Sequence, residues 1–361
     1  MREGLRTRDP TPYTTPVTHE FRSAWWLPGP HAQTVGGRFL RGRRERGLRF
    51  RRERLELPDG DFLDLDFVRA ARVHPTAEDS PRPLVLVLHG LEGSARSGYA
   101  LETYRALAAH GVRAVGLNFR SCGGEPNRTA RSYHSGDSGD LGIVVDVLRE
   151  RFRDTALGAI GYSLGGNVLL KYLGERGAGA RERVRAAAAI SVPYDLATGA
   201  RCLERGLGRL YAAFFLRSLR SKLRAKWALL EGRCDRNRAV KARTMREFDE
   251  AATAPLHGFR DAEDYYRRSS SAPFLPAIRV PTLLLHAVDD PFLPGRFVPR
   301  EAIRDNPRLQ AHFSERGGHV GFVAGARPWA ARLWAEWEAA RFVAARLREV
   351  PAGTSLEGGE G

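Results

Sequence analysis

The chain has 361 residues, enough to bury a large core in one α/β domain or to divide into two, and its 42% hydrophobic and 28% charged content is that of a folded globular protein. The formal net charge of +16 raises nucleic acid and anionic membranes as partners, but only Lys171, Lys222, Lys226 and Lys241 are lysines. The rest of the basic residues are arginines spread along the chain, so nucleic acid is set aside and peripheral contact with an anionic membrane stays open.

Cys122, Cys202 and Cys234 are odd in number and lack Cys-x-x-Cys spacing, which argues against a disulfide framework or a zinc site and for a reducing compartment. No signal-like apolar stretch opens the chain and no apolar run reaches membrane-span length, so the expected location is the cytoplasm.

Residues 1–18, rich in Pro and Thr, are expected to be a flexible arm. The adjacent Trp25 and Trp26 call for burial, so Trp25 to Thr34 is expected to dock on the body as a strap with a hydrogen-bonded His31, the alternative being that His31 and Gln33 line a pocket. Arg41 to Arg54 reads as a solvated basic face. It leads into two antiparallel strands, Leu55-Glu56-Leu57 and Phe62 to Phe67, around Pro58-Asp59-Gly60-Asp61. Pro75 to Pro83 reads as a loop.

At Leu84 the pattern changes. Leu84 to Leu88 is a continuous apolar run, as a strand buried on both faces of a parallel sheet requires. A helix is expected over Tyr99 to Ala109, a strand over Val112 to Leu117, a helix over Leu141 to Phe152 and a strand over Ala156 to Ile160. A helix from Asn167 and a strand over Ala187 to Val192 follow. Residues 195 to about 275 interrupt the alternation with helical, arginine-rich sequence, placed where a lid over a pocket would enter. Strands resume at Thr282 to His286 and Leu309 to Phe313, and an amphipathic helix within Ala324 to Leu347 carries Trp329, Leu333, Trp334, Trp337 and Phe342. The Gly- and Glu-rich residues 351–361 are expected to be disordered. The implied architecture is one α/β domain over 19–350, a mostly parallel, doubly covered sheet with a helical lid insertion.

Four unusual segments, after Leu88, Leu117, Ile160 and His286, fall at strand carboxyl ends, where such sheets place their ligands. Gly161-Tyr162-Ser163-Leu164-Gly165 sits between strand and helix, the spacing of a sharp turn that exposes a serine hydroxyl. Serine needs a base and the base needs a carboxylate. Asp289-Asp290 and His319 follow in the order Ser, Asp, His of the α/β-hydrolase fold. Asp290 is preferred as the acid because it stands four residues before Pro294, with Asp289 capping the turn. The oxyanion donors are then the N–H groups of Leu164 and Leu91, the latter following His89-Gly90. His89 is read as a support for its loop and Arg120 as part of an internal salt bridge.

His89-Gly90-Leu91-Glu92-Gly93-Ser94, Asn118 to Glu125, Gly161 to Asn167 and Asp289-Asp290-Pro291-Phe292 together resemble the YheT-like branch of the α/β-hydrolases, which is related to ABHD1/ABHD3-type and yeast ethyl-ester-forming enzymes. Pro30-His31-Ala32-Gln33-Thr34, Phe248-Asp249-Glu250, Thr253-Ala254-Pro255, Gly258-Phe259 and Asp264-Tyr265-Tyr266 extend the resemblance from about Trp26 to Leu347. It implies hydrolysis of carboxylic esters by a Ser163, Asp290, His319 triad, without cofactor or metal, on a small-molecule ester of short, medium or lipid-like acyl chain. Acyl transfer to alcohols, lipid hydrolysis at a membrane surface, and a non-catalytic binding protein on the same fold are the alternatives.

Overall fold

The computed structural model describes residues 20–42, 47–70 and 82–349; the expected arm, the Pro75 loop and the tail lie outside them, apart from the last residues of that loop. Strands β1 (Leu48–Glu56) and β2 (Phe62–Ala70) form an antiparallel hairpin, and β2 pairs antiparallel with β4 (Arg113–Asn118). The other strands, β3 (Leu84–Leu88), β5 (Leu157–Tyr162), β6 (Ala186–Ile190), β7 (Thr282–Ala287) and β8 (Leu309–Ser314), are parallel with β4 in an eight-stranded sheet ordered β1-β2-β4-β3-β5-β6-β7-β8.

The apolar run that begins β3 explains its central place. Leu84, Leu86 and Leu88 enter one core layer, while Val85 and Val87 enter the other. Period-two alternation thus feeds both faces, and only a strand covered on both sides can be apolar at every position. The first face is covered by α3 (Ser138–Arg151) and α4 (Leu164–Arg176). The second is covered by α2 (Gly98–Ala109) and the terminal helix α13 (Trp334–Arg348).

Short α5 (Ala180–Arg183) precedes β6. Between β6 and β7 the chain builds the expected helical insertion: α6 (Leu196–Leu203), α7 (Gly208–Ala225), α8 (Arg236–Lys241), α9 (Met245–Phe248), a π-helical turn over Asp249–Thr253, α10 (Ala254–Leu256) and α11 (Ala262–Ser269). In α7, Ala212, Leu216 and Leu223 are buried at helical spacing, whereas Leu210 and Phe214 face outward. Short α12 (Arg300–Arg304) and the two-stranded β9 (Val323–Ala324) and β10 (Arg332–Leu333) complete the chain.

Four expectations are corrected. From Gly29 the strap is a helix, α1 (Gly29–Gly42), despite its central Gly36-Gly37; at Gly37 a side chain would meet Gly321 at 3.3 Å, so the close approach suits a glycine there. Trp25 is 76% exposed and donates its indole N–H to Ala326 O at 2.9 Å; Trp26 donates likewise to Gly325 O at 2.9 Å. Arg41 is buried rather than solvated, ion-paired at 2.5 Å to Glu336 of α13. Trp329 and Leu333 precede the terminal helix, and Trp329 is exposed.

Candidate active site

Ser163 stands between β5 and α4 at φ 50° and ψ −118°, a conformation that costs a non-glycine residue about 1–3 kcal/mol. The turn is tight enough that a side chain on Gly161 would meet Gly165 O at 2.6 Å, and one on Gly165 would meet His89 O at 2.5 Å. The glycines are therefore required by contact, and the Ser163 N–H is pinned to Ile190 O at 2.8 Å. This exposes the hydroxyl where the sheet's carboxyl edge meets the start of α4.

The structure brings three residues from distant loops together. His319 Nε2 lies 2.9 Å from Ser163 Oγ, and His319 Nδ1 lies 2.9 Å from Asp290 Oδ2. An ionised Asp290 accepts the Nδ1 proton, which leaves Nε2 to accept the serine proton. Asp290 Oδ1 meanwhile accepts the N–H groups of Phe292 at 2.8 Å and Leu293 at 3.3 Å. Burial alone would raise the Asp290 carboxyl, but the apposed His319 ring outweighs it and holds the group below its ordinary pKa. Asp289 caps the histidine loop rather than its own turn, accepting the Gly318 N–H at 2.8 Å.

The loop after β3 closes over the serine. Gly90 donates its N–H to the Tyr99 hydroxyl at 2.9 Å, and Glu92 donates its own to the Tyr133 hydroxyl at 2.9 Å. Between them, the Leu91 N–H donates to no group among the described residues, and neither does the N–H of Leu164 at the first turn of α4. Two unspent donors beside Ser163 match the needs of an oxyanion. His89 supports this loop: its Nε2 accepts the Phe119 N–H at 3.2 Å and its Nδ1–H donates to Gly90 O at 2.7 Å. Burial lowers His89 to about 3, so the ring is neutral. Arg120 is buried among Asp140, Asp59 and Asp61 at 2.7–2.9 Å, as an internal salt bridge.

A cavity of about 1020 Å³ opens beside the serine. Val35 and Phe39 of α1, and Leu210, Tyr211, Phe214 and Phe215 of α7, give it an apolar wall. His31 lines it and hydrogen-bonds the Tyr211 hydroxyl at 3.1 Å, while Gln33 is buried in the strap and accepts the Val323 N–H at 2.8 Å. His31 thus both lines the cavity and is hydrogen-bonded, while Gln33 belongs to the strap's own packing.

Sequence reasoning missed several neighbours. Phe292 stacks on the His319 ring at 4.1 Å, although its place in Asp289-Asp290-Pro291-Phe292 was a usable signal. Thr34 Oγ1 accepts the His319 N–H at 2.9 Å. The Glu92 carboxylate accepts from Tyr133, from Lys222 Nζ at 2.9 Å and from Ser218, so helix α7 holds the loop after β3. No local pattern announces a contact between positions 92 and 222.

Residues 83–326 match the α/β hydrolase fold family. The chain is 38% identical over 322 residues to the esterase-named YheT of Escherichia coli (strain K12), covering 86% of this chain and 91% of that protein. It is 30% identical to phospholipase ABHD3 of Mus musculus, covering 86% of this chain and 75% of the other. It is 32% identical to a monoacylglycerol lipase of Saccharomyces cerevisiae (strain ATCC 204508 / S288c), covering 68% of this chain and 56% of the other. With the sheet order, the serine turn and these relatives in agreement, the chain belongs to the α/β-hydrolase family, in its YheT-like branch.

Proposed function

We propose that this protein is a serine hydrolase of carboxylic esters, acting through an acyl-enzyme on Ser163. The observation that carries the reading is the continuous hydrogen-bonded chain from Ser163 through His319 to Asp290 beside an apolar cavity. The esterase, phospholipase and lipase names of the relatives agree with it. Ser163 Oγ attacks the acyl carbon as His319 Nε2 takes its proton, and Asp290 stabilises the imidazolium. The N–H groups of Leu91 and Leu164 hold the oxyanion, each donor being worth about 3–4 kcal/mol. His319 returns the proton to the departing alcohol. It then takes one from water, which attacks the acyl carbon, releases the carboxylic acid and restores Ser163. A fluorophosphonate probe is expected to label Ser163, and p-nitrophenyl esters to be cleaved by the wild type and not by Ser163→Ala. A folded protein that does neither overturns the reading.

The helical insertion serves in this reading as a lid, because α7 supplies one cavity wall. A lipid–water interface is the second element, favoured by what surrounds the mouth. Phe39 is 70% exposed, Leu210 68% and Phe214 52%, and α7 carries Arg209, Arg217, Arg220 and Arg224, besides the inward-turned Lys222, with no acidic residue. Apolar side chains flanked by arginines suit an anionic membrane surface. Among the described residues no helix is long and apolar enough to cross a membrane, and the three cysteines are free, which agrees with a reducing cytoplasm.

A further inference from the structure

The strap segment Pro30-His31-Ala32-Gln33-Thr34 divides its labour. Thr34 holds the His319 N–H and Gln33 packs the strap, whereas His31 lines the cavity. There it meets Tyr211 of α7. His31 Nδ1 and the Tyr211 hydroxyl lie 3.1 Å apart, and the two rings stack with centroids 5.8 Å apart and planes inclined by 19°. Val35 and Phe39 on α1, and Leu210, Phe214 and Phe215 on α7, line the same wall, so the pair is a polar island in apolar lining.

Two routes tie the pair to the catalytic histidine. Along α1, Thr34 stands three residues beyond His31, about 4.5 Å up the axis and on nearly the same face. Thr34 Oγ1 accepts the His319 N–H at 2.9 Å, and Pro30 O is packed so closely on Gly318 that a side chain there would come within 2.3 Å. Through α7, the Tyr211 ring meets Phe292 edge-on at 4.9 Å, and Phe292 stacks on the His319 ring at 4.1 Å. Residues on both sides of His31 therefore touch the histidine loop, and one phenyl group separates Tyr211 from the His319 ring.

The protons of the pair can be counted. One hydrogen bond joins Nδ1 and the hydroxyl, and neither side chain makes another among the described residues. If the tyrosine donates, its oxygen keeps a lone pair and the neutral ring carries its proton on Nε2. If the ring donates from Nδ1, the tyrosine keeps its proton and Nε2 keeps a lone pair. Either way the pair presents one donor and one acceptor to the cavity. A carboxylate or a phosphate would leave the acceptor unmet, and an ammonium would leave the donor unmet. Water or an alcohol satisfies both, because a hydroxyl donates and accepts at once.

Ester hydrolysis passes two such groups through one place. The alcohol leaves with a proton from His319 Nε2, and the water that follows gives its proton to the same nitrogen, so both oxygens stand beside Nε2 in turn. The apolar side chains of α1 and α7 offer that oxygen nothing. We infer that His31 and Tyr211 hold the exchanging oxygen at His319, first that of the departing alcohol and then that of the attacking water. The inference rests on the ester-hydrolase reading and adds to it the pair that orients the second oxygen. No further bond is made or broken: His319 still carries the proton, and the pair contributes one donated and one accepted hydrogen bond.

The experiment uses two butyrate esters that differ in the need for a proton at the leaving oxygen. p-Nitrophenolate departs without one, whereas ethoxide requires it from His319. The double variant His31→Phe, Tyr211→Phe keeps a ring at each position and removes the polar atoms. Its kcat/KM for ethyl butyrate is expected to fall at least tenfold, and that for p-nitrophenyl butyrate to stay within about threefold of wild type. Deacylation, common to both esters, is slowed, so p-nitrophenyl butyrate should give a stoichiometric burst of nitrophenolate followed by turnover at least tenfold slower than wild type. Should the double variant not fold, Tyr211→Phe, which removes a single oxygen, carries the test with the same two signs. An equal fall in kcat/KM for both esters without a burst, or rates that the substitutions do not move, overturns the inference and leaves the pair as a latch between α1 and α7. A wild-type protein that cleaves neither ester through Ser163 overturns the hydrolase reading, and the inference with it.

Discussion

Lys222→Met tests whether helix α7 holds the loop that carries the Leu91 N–H. The Glu92 side chain is 1% exposed and that of Lys222 25% exposed, with 2.9 Å between the charged atoms. Removing one partner of a buried pair costs about 3–5 kcal/mol because it strands the other charge. Here the Tyr133 and Ser218 hydroxyls remain on the carboxylate, and water reaches the partly exposed end of the gap, so the lower end, about 3 kcal/mol, is expected. The kinetic effect follows from position. Glu92 holds a left-handed backbone, φ 55°, directly after Leu91, and the clamp on its side chain keeps it there. Full loss of an oxyanion donor costs about 100- to 1000-fold in kcat; a loosened donor should cost about tenfold, with KM for a short ester little changed because the interaction forms in the transition state. Steady-state kinetics on p-nitrophenyl butyrate and urea unfolding measure the two effects separately. Glu92→Gln combined with Lys222→Met should recover stability, since no charge is stranded, and should not recover kcat. A Lys222→Met protein that loses stability while its kcat stays within twofold of wild type refutes the reasoning, and the clamp then serves only to seat the helix.

Asp290→Asn should fold and lose about ten-thousand-fold in kcat, because the amide favours the wrong His319 tautomer, whereas Asp289→Asn should lose tenfold or less; kinetics on one ester decide both. Leu210→Asp with Phe214→Asp should weaken binding to phosphatidylglycerol vesicles at least tenfold in a sedimentation assay, and equal binding by the variant would remove the interface from the reading. Asp249 has a folded-state pKa raised by burial to about 6, so its stabilising contribution is complete below the unfolded carboxylate value and is lost as pH rises through 6. Asp249→Asn lacks that loss, so relative to wild type it should be more stable at pH 7 than at pH 4, by about 3 kcal/mol. Urea unfolding at the two pH values measures the difference, and a pH-independent offset would contradict it.

How legible each part was depends on the range of the interaction behind it. The β3 run, the Ser163 turn and the Ser, Asp, His order are local patterns, and each depends on a constraint acting within a few residues: burial on both faces, close backbone approach, or position at a strand end. The choice of Asp290 over Asp289 also rested on a local spacing, and the geometry places Asp290 against His319. What stayed hidden depends on distant partners. Helix α1 is masked in the sequence by Gly36-Gly37, which weaken helix propensity; Gly36 faces the Leu27 side chain and Gly37 lies close to Gly321. Hydrophobicity alone assigns Trp25 to the interior and Trp329 to the terminal amphipathic helix. An indole can instead spend its N–H on a carbonyl and leave its face open, as Trp25 does. Lys222 looked like one more basic residue in an arginine-rich helix until Glu92 was placed beside it.

The same distinction applies at His319, whose ring in the proposed mechanism carries a proton between two oxygens and so needs placement to within a fraction of an ångström. Nothing in Gly317-Gly318-His319 supplies that. Gly318, Val320 and Phe322 all hold positive φ, a strained path for the last two, which costs energy unless neighbours enforce it. The enforcement comes from four residues on three separate segments. Thr34 of α1 holds the His319 N–H, Asp289 holds the Gly318 N–H, Ser191 after β6 holds the Val320 N–H at 2.9 Å, and Phe292 stacks on the ring. A side chain on Gly318 would meet Pro30 O at 2.3 Å, so the strap and the histidine loop fit only against one another. Helix α1 is consequently a structural member of the site, although it lies far from the triad in sequence. Beyond its part in the cavity wall, its contribution to the proposed activity runs through the orientation of one imidazole ring.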